Sequence, residues 1–177
     1  MITASHNPKE YNGFKICALG RDTIFGEEVQ ELRRFIEKGD FSTSENLGIV
    51  EQKSLREAYI EDIVSKIKLG DRKLKVAIDC GNGAASILAE ELFSKLGVEV
   101  VATCCESDGN FPNHHPNPEI PENMKMLGEA VVKNKCDFGI GFDGDGDRVG
   151  FITEKGKIMP TDKAMIAYIR SLNNTVV

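Results

Sequence analysis

The sequence lacks a long apolar run and a surplus of positive charge. It has 22 Lys and Arg against 28 Asp and Glu, a formal net charge of −6 and a pI near 5.2. This acidic balance argues against binding to nucleic acid or to an anionic membrane, so phosphate recognition should be local. No stretch approaches transmembrane length, and Met1 leads directly into a polar loop. We therefore expect neither a membrane span nor a signal peptide.

The sequence also lacks a paired pattern of cysteines. It has five of them, an odd number, and none stand in CxxC spacing: Cys17, Cys80, Cys104, Cys105 and Cys136. Cys80, Cys104 and Cys136 lie in or beside apolar, strand-like runs, as small buried hydrophobic residues do. The pattern predicts reduced thiols in the cytoplasm rather than a disulfide framework or a zinc site.

The first 50 residues do not resemble a self-sufficient domain. They contain one predicted strand (13–18) and one predicted helix (26–38), which together cannot bury a core. Residues 40–52 are typical of a linker. With 177 residues in total, the chain is long enough for one domain with pieces of its neighbours.

From residue 54 onward, helical and strand patterns alternate, beginning with a predicted helix over 54–69. The predicted strands are 74–79, 98–103 and 137–142, with helices over 83–96 and 119–133 between them. Continuously apolar strands suit a parallel sheet that is covered on both faces and binds ligands beyond its carboxyl edge. We expect an α/β fold, a three-layer αβα domain with a mostly parallel mixed sheet, flanked by partial α/β domains. A predicted helix over 163–172 follows the sheet, and residues 176–177 have the pattern of a truncated strand.

The segment 143–148 reads Asp-Gly-Asp-Gly-Asp-Arg and directly follows an apolar run. On a regular strand the three carboxylates would share a face but stand roughly 6 to 7 Å apart, too far for one ion. Glycine reaches positive φ at little cost, so the two glycines allow Asp143, Asp145 and Asp147 to converge. Convergent carboxylates suit a hard cation, most often Mg²⁺. Arg148 adds a donor fork suited to a phosphate oxyanion.

Two other interpretations of this segment stay open. Asp-Gly is a strong turn signal, so the segment is also typical of a solvated hairpin tip. A calcium EF-hand loop likewise has Asp at positions one, three and five, and Glu154 falls at position twelve. The EF-hand frame requires Gly at position six, where this chain has Arg148, and its flanks should be helices. Residues 149–152 instead have the pattern of a strand.

A second signal lies near the amino terminus, where residues 2–8 read Ile-Thr-Ala-Ser-His-Asn-Pro and residues 11–15 read Tyr-Asn-Gly-Phe-Lys. Ser5 lies among small and turn-forming residues, which predicts a tight exposed loop. By itself this pattern is more typical of a capped turn than of a catalytic site. Its combination with the Asp-Gly repeat changes that interpretation.

Together, the two strings resemble the α-D-phosphohexomutase superfamily. In that superfamily Thr-Ala-Ser-His-Asn-Pro carries a phosphorylated serine, and Asp-Gly-Asp-Gly-Asp-Arg holds Mg²⁺. A third string, Asp-Gly-Asn-Phe-Pro-Asn-His-His-Pro-Asn-Pro at 108–118, resembles the phosphomannomutase/phosphoglucomutase branch. The resemblance spans essentially the whole chain. It implies that residues 1–50 are the carboxyl-terminal part of domain 1, 51–155 domain 2, and 156–177 the start of domain 3.

The resemblance implies a Mg²⁺-dependent isomerase that interconverts hexose 1-phosphate and hexose 6-phosphate. Ser5 is then the phosphoryl carrier and, as phosphoserine, a further metal ligand beside Asp143, Asp145 and Asp147. His6 and Lys15 are candidates for proton handling and for stabilising the transferring group, and Arg148 is a candidate for electrostatic support. The implied partners are hexose phosphates, a hexose 1,6-bisphosphate and the remaining domains of the parent protein. We expect the isolated chain to be inactive and able to self-associate.

Two rival functions remain. A phosphatase of the haloacid-dehalogenase type also places Asp-x-Asp after an apolar strand, but it prefers Thr or Val where this chain has Asp147. A non-catalytic, metal-binding domain fragment is the second rival.

Two smaller motifs favour structural roles. Gly81-Asn82-Gly83 departs from a dinucleotide fingerprint at Ser86 and favours close helix packing. Adjacent His114 and His115 point apart on an extended segment, which disfavours their joint use as ligands.

Overall fold

A computed structural model describes residues 1–17, 23–39, 41–42, 45 and 48–172 of the chain. The chain divides into two compact units. The first combines Met1–Thr3 with Asn12–Leu55, and the second combines Ala4–Tyr11 with Arg56–Val177. This division does not test the predicted domain boundaries at residues 50 and 155, which stay predictions.

The first unit contains the helix α1 (Glu27–Lys38), which begins and ends close to the predicted bounds. Glutamates lie in its first turn and a lysine in its last, as the helix dipole favours. Gly39 ends it in the left-handed conformation (φ 63°) and donates its N–H to the Ile36 carbonyl. The predicted strand over 13–18 is wrong for the described residues 13–17. They form only isolated bridges, Ile2 with Phe14 and Cys17 with Thr23. Ala18 lies outside the described residues.

The predicted linker over 40–52 has neither helix nor strand at 41, 42, 45 and 48–52, and its other residues lie outside the described part. The second unit begins with α2 (Arg56–Lys66), which is shorter than predicted at both ends. Its further elements are β1 (Lys75–Asp79), α3 (Ala89–Lys95), β2 (Glu99–Thr103), α4 (Lys125–Asn134), β3 (Phe138–Phe142), β4 (Val149–Thr153), β5 (Ile158–Met159) and α5 (Thr161–Leu172). The strand that we predicted at 176–177 lies outside the described residues.

The five strands form one mixed sheet in the order β2-β1-β3-β4-β5. Strand β1 pairs in parallel with β2 and β3, whereas β4 is antiparallel to both β3 and β5. Ile78 on β1 stands opposite Ala102 on one side and Ile140 on the other. The sequence predicts the parallel unit of β2, β1 and β3, and the structure confirms it. Strand β5, which is only two residues long, is not predicted by any sequence pattern.

Alternate side chains of β1 face two different hydrophobic clusters. Ala77 packs with Leu127 and Val131 of α4. Val76 and Ile78 pack in a second cluster with Ala89 of α3. A strand whose side chains are buried on both faces requires a layer of helices on each side of the sheet. The α/β, three-layer prediction is therefore confirmed.

Two predicted helices begin as short 3-10 turns rather than as α-helix. Residues Ala84–Ile87 form the first turn before α3, and Pro121–Met124 form the second before α4. The Ala84 N–H donates to the Gly144 carbonyl oxygen at 2.9 Å, so a distant loop holds the first turn in place. Gly83 permits this approach because a Cβ there would lie 2.6 Å from the same oxygen. The glycines at 81 and 83 thus serve close loop packing, where we had predicted packing of helix on strand.

A buried ion pair attaches the loop after β2 to the end of β1. The His114 Nε2 atom lies 3.1 Å from Asp79 Oδ2, with the two side chains 14% and 3% exposed. The hydrogen bond to Asp79 raises the pKa of His114 above its usual 6.5, although burial opposes this. No helix within the described ranges has the length and apolarity needed to cross a membrane.

We predict that His114→Gln destabilises the second unit by about 1–3 kcal/mol, because Asp79 loses its charged partner. Since the pKa of His114 is raised on folding, its contribution is full below pH 6.5 and is lost as the pH rises through the folded pKa. When unfolding is measured in urea with EDTA present, the free energy of unfolding should therefore differ more between the variant and the unaltered chain at acidic pH than at alkaline pH. The neighbouring His115→Gln is the control. A loss of unfolding free energy that is the same at all pH values would contradict the ion pair.

Candidate active site and metal centre

The aspartate loop, residues 143–148, connects β3 to β4. Phe142 and Val149 are its paired flanks, so it is the tip of an antiparallel hairpin. The Asp143 N–H donates to the Arg148 carbonyl at 3.2 Å, and the Gly146 N–H donates to the Asp143 carbonyl at 3.1 Å. Gly146 adopts a positive φ of 76°, which favours glycine there. Both flanks are strands, which excludes the EF-hand interpretation. The hairpin-tip interpretation describes the backbone correctly.

The loop brings its three carboxylates together. One oxygen from each of Asp143, Asp145 and Asp147 lies within 4.8 Å of the others. Asp143 is fully buried, Asp145 is half-buried, and the Asp147 side chain is 52% exposed. Because the exposure of the three carboxylates increases from Asp143 to Asp147, one side of the cluster is open to solvent. This donor set fits Mg²⁺, which prefers carboxylate oxygen and retains some of its water ligands.

Asp143 is fixed by contacts with Arg148. Its Oδ1 accepts the Arg148 backbone N–H at 3.1 Å, and its Oδ2 accepts the Arg148 Nε–H at 3.1 Å. A charge-assisted bond to a carboxylate with no exposure is stronger than the same bond on a surface. Arg148 therefore holds the Asp143 carboxylate in one orientation.

The serine loop, residues 4–11, reaches this centre within the second unit. A turn closes between Ala4 and Asn7, whose N–H donates to the Ala4 carbonyl at 3.0 Å. Lys9 Nζ donates to Asn110 Oδ1 at 3.1 Å. Ser5 has a positive φ of 54°, which is uncommon for a residue other than glycine and is typical of tight functional turns.

The Ser5 hydroxyl stands at the meeting point of three polar side chains. Its Oγ lies 3.2 Å from Asp143 Oδ2, 3.2 Å from Arg148 Nη2 and 3.2 Å from His6 Nδ1. The guanidinium can only donate, so Ser5 Oγ accepts from Arg148. The hydroxyl hydrogen is then donated to Asp143 Oδ2, because the single lone pair of His6 Nδ1 accepts from Arg148 Nη2. The centre therefore places a hydroxyl, a carboxylate that can accept its proton and a fixed cation in mutual contact.

The backbone of the serine loop touches the aspartate loop at Gly144. A Cβ on Gly144 would lie 2.1 Å from the Ser5 carbonyl oxygen, far inside any allowed contact. The sequence predicts that the glycines of this loop allow the chain to curve. The structure adds that Gly144 is required for the close approach of Ser5.

Arg148 is shared among several groups of the site. Besides Asp143 and Ser5 it contacts His6 Nδ1 through Nη2, and Nη1 lies 3.2 Å from Glu119 Oε1. Burial by itself lowers the pKa of Arg148, but the hydrogen bond to Glu119 and the charge of Asp143 raise it overall. Arg148 therefore stays cationic. Because Arg148 only donates, His6 Nδ1 is the acceptor in their contact, which places any hydrogen of a neutral His6 ring on Nε2.

The structure thus brings together Ser5, His6, Asp143, Asp145, Asp147 and Arg148. Lys15 belongs to the first unit, where its backbone N–H donates to the Met1 carbonyl at 2.9 Å. Its predicted role stays a prediction. Glu119 was missed as a partner of Arg148, because the sequence marks it only as a helix start.

Two family profiles match the chain. The one described as phosphoglucomutase/phosphomannomutase, alpha/beta/alpha domain II, matches residues 57–156. The one described as alpha/beta/alpha domain I of the same family matches residues 1–43. The aspartate loop lies in the first of these ranges and Ser5 in the second.

Individual relatives agree with the profiles. The chain is 44% identical over 172 residues to a phosphomannomutase/phosphoglucomutase of Pseudomonas putida, covering 97% of this chain and 36% of that protein. It is 44% identical over 174 residues to a phosphoglucomutase of Neisseria gonorrhoeae, covering 98% and 37%. A crystal structure of a phosphoglucomutase/phosphomannomutase family protein from Burkholderia thailandensis superposes with a TM-score of 0.85 at 39% identity, covering 97% of this chain and 36% of that one. The chain thus spans little more than a third of these relatives.

We predict that Gly144→Ala displaces the serine loop from the aspartate loop, because the new Cβ would overlap the Ser5 carbonyl. Hydrogen exchange over residues 4–11 should accelerate at least about tenfold, the effect of ~1.4 kcal/mol of lost local stability. Exchange over β3 should change little. Gly109→Ala is the matched control, since a Cβ there meets nothing within 4 Å. Equal exchange in both variants would contradict the contact.

Proposed function

Because the chain belongs to the phosphoglucomutase/phosphomannomutase family, we propose that it carries the phosphoryl-transfer centre of a phosphohexomutase. The reaction interconverts hexose 1-phosphate and hexose 6-phosphate through a hexose 1,6-bisphosphate. The chain covers 36% of the Pseudomonas relative, so the activity belongs to a protein that holds this chain together with further domains. We place that protein in the cytoplasm, consistent with the unpaired cysteines.

The observation that carries the proposal is the position of the Ser5 hydroxyl. Its Oγ lies 3.2 Å from both Asp143 Oδ2 and Arg148 Nη2, although 138 residues separate Ser5 from Asp143. A capped turn that served only structure would have no need to place a serine hydroxyl against a buried carboxylate and a cation. Phosphoryl transfer depends mostly on positioning and electrostatic stabilisation, and this arrangement supplies both.

Ser5 is the phosphoryl carrier in this proposal. As the Ser5 Oγ–P bond forms, the bond from phosphorus to a sugar oxygen breaks. The hydroxyl proton leaves Ser5, and the departing sugar oxygen takes up a proton to become a hydroxyl. Asp143 Oδ2, 3.2 Å from Oγ, is in place to accept that proton from Ser5, whereas the single lone pair of His6 Nδ1 already accepts from Arg148. In the reverse direction the phosphoryl group returns to a sugar hydroxyl, and Ser5 Oγ regains a proton.

Arg148 balances charge at this point. A phosphoserine carries about −2 at neutral pH, and it would stand beside three aspartates. The Nη2 of Arg148 already contacts Ser5 Oγ, so its positive charge is in place before the phosphoryl group arrives. Because Asp143 and Glu119 hold Arg148 from two sides, the guanidinium need not reorganise during transfer.

Asp143, Asp145 and Asp147 would hold Mg²⁺ in this proposal, with an oxygen of phosphorylated Ser5 as a further ligand. The fit rests on three oxygen donors within 4.8 Å and on the absence of sulfur or nitrogen donors from that group of three. Bound there, Mg²⁺ supplies positive charge to phosphate oxygens.

An aspartyl-phosphate chemistry of the haloacid-dehalogenase type is the rival. It would require Asp143 as the nucleophile, yet Asp143 is 0% exposed and both of its oxygens accept hydrogen bonds. The half-buried Ser5 has better access to an incoming phosphoryl group. The geometry therefore favours phosphoserine over aspartyl phosphate.

In the complete protein, incubation with a hexose 1,6-bisphosphate should phosphorylate Ser5, as located by peptide mass spectrometry. Ser5→Ala should abolish turnover while leaving the unfolding midpoint nearly unchanged, because the variant loses one hydroxyl from a partly exposed loop. His115→Gln, outside the centre, is the control and should keep turnover. Phosphate found on Asp143 would support the phosphatase interpretation instead.

Asp145→Asn should weaken Mg²⁺ binding to this chain at least about tenfold, because it removes one of three anionic ligands. Isothermal titration calorimetry measures this directly. Asp71→Asn, at an exposed position outside the aspartate loop, is the like-for-like control and should leave the affinity unchanged. If Asp145→Asn bound Mg²⁺ with the same affinity as the unaltered chain, the metal assignment would be wrong.

The isolated chain should show no mutase turnover, even with Mg²⁺ and a sugar bisphosphate. It spans little more than a third of its relatives, and we place the contacts to the sugar and the distal phosphate in the remainder of the complete protein. Without those contacts, binding energy cannot orient the bisphosphate. A coupled assay that detected a thousandth of a typical kcat of about 10 s⁻¹ would refute this expectation.

A further inference from the structure

A second cluster of metal-ligating side chains lies apart from the aspartate loop, and the proposed function leaves it unused. It consists of Asp79 at the end of β1, Cys104 just beyond β2, and His114 in the loop that follows. One ligand atom from each lies within 4.8 Å of the other two. Strands β1 and β2 are parallel neighbours, so their carboxyl ends meet at the same edge of the sheet.

His114 is oriented as a metal-binding histidine is. Its Nδ1 lies 3.0 Å from the His115 carbonyl oxygen, which can only accept, so Nδ1 carries a hydrogen. Metal-ligating histidines almost always donate their second ring nitrogen in this way, which fixes the tautomer and aims the other nitrogen at the ion. The Nε2 of His114 faces the Asp79 carboxylate, at 3.2 Å from Oδ1 and 3.1 Å from Oδ2.

The distances are close to those of a tetrahedral site. Zinc bonds of about 2.0–2.3 Å place neighbouring ligand atoms roughly 3.3–3.7 Å apart. The nitrogen and oxygen already stand near this spacing, and the sulfur lies within 4.8 Å of both. Closing the site therefore needs a shift of roughly 1 Å or less by the Cys104 thiol.

The neighbouring cysteine is engaged elsewhere. The Cys105 Sγ lies 3.1 Å from the Cys80 Sγ and 3.1 Å from the Thr103 carbonyl oxygen. Cys104 is therefore the sulfur ligand, and Cys105 is not. The absence of CxxC spacing led the sequence analysis away from zinc, but that signal detects only sites with two nearby cysteines.

We propose that Asp79, Cys104 and His114 bind a zinc ion, with the fourth position left to water. A mixed set of thiolate, imidazole and carboxylate selects zinc over Mg²⁺, which the all-oxygen aspartate loop prefers. Binding replaces the hydrogen on His114 Nε2 and the thiol hydrogen of Cys104, and both protons leave to solvent. The site ties the ends of β1 and β2 to the loop 104–118, and it does not depend on the proposed mutase activity.

Cobalt titration of the whole chain tests the proposal, because Co²⁺ takes the place of zinc and reports a thiolate ligand by its charge-transfer absorption. We expect that band in the unaltered chain and in Asp145→Asn, which alters only the aspartate loop. Cys104→Ser should lose the band, and His114→Gln should weaken binding at least about tenfold. Cys17→Ser, which removes an exposed thiol from the first unit, is the control and should keep the band.

A second measurement covers the case in which Cys104→Ser fails to fold. In the unaltered chain, stoichiometric Zn²⁺ should slow the alkylation of Cys104 by iodoacetamide at least tenfold, as quantified by mass spectrometry, and leave Cys17 alkylation unchanged. The absence of a thiolate band, a band that survives in Cys104→Ser, or equal alkylation of Cys104 with and without Zn²⁺ would each overturn the proposal. So would loss of all metal binding in Asp145→Asn.

Discussion

The buried Asp143 carboxylate is the group on which the candidate site depends. It has no exposure, and it is held by Arg148, which donates to both of its oxygens, and by the Ser5 hydroxyl 3.2 Å from Oδ2. These contacts close the aspartate loop and point the same guanidinium at Ser5 Oγ. One ion pair therefore shapes the loop that carries the carboxylates and places the cation that a phosphoryl group needs.

The carboxyl edge of the parallel strands presents two different ligand chemistries. After β3, Asp143 begins a group of three carboxylates that offers only oxygen ligands. At the ends of β1 and β2, Asp79 and Cys104 lie close to His114, and this group offers oxygen, sulfur and nitrogen ligands. Glycines join these regions, because Gly81 allows Pro116 to approach and Gly83 allows Gly144 to approach. Open α/β sheets bind ligands beyond this edge, and each strand end here carries a side chain suited to that use.

Local patterns predicted the strands β1, β2 and β3, because continuous apolar runs mark strands that are buried on both faces. They did not predict the 3-10 turn at residues 84–87, where a hydrogen bond to Gly144 overrides helical preference. The residues of the site were recognisable because two short motifs contain most of them. The contact between Ser5 and Asp143 was implied only by resemblance, and nothing local connects Glu119 with Arg148 or Cys104 with His114. Such pairs form only when the chain folds.

The central claim is that Ser5, once phosphorylated, shares one metal centre with the aspartate loop. The direct measurement uses the chain with phosphoserine incorporated at position 5 during synthesis and Mn²⁺ bound in place of Mg²⁺. Pulsed electron–nuclear double resonance should detect a phosphorus hyperfine coupling to the bound manganese, and Asp145→Asn should weaken that signal. Manganese that binds to the aspartates without any phosphorus coupling would contradict the account.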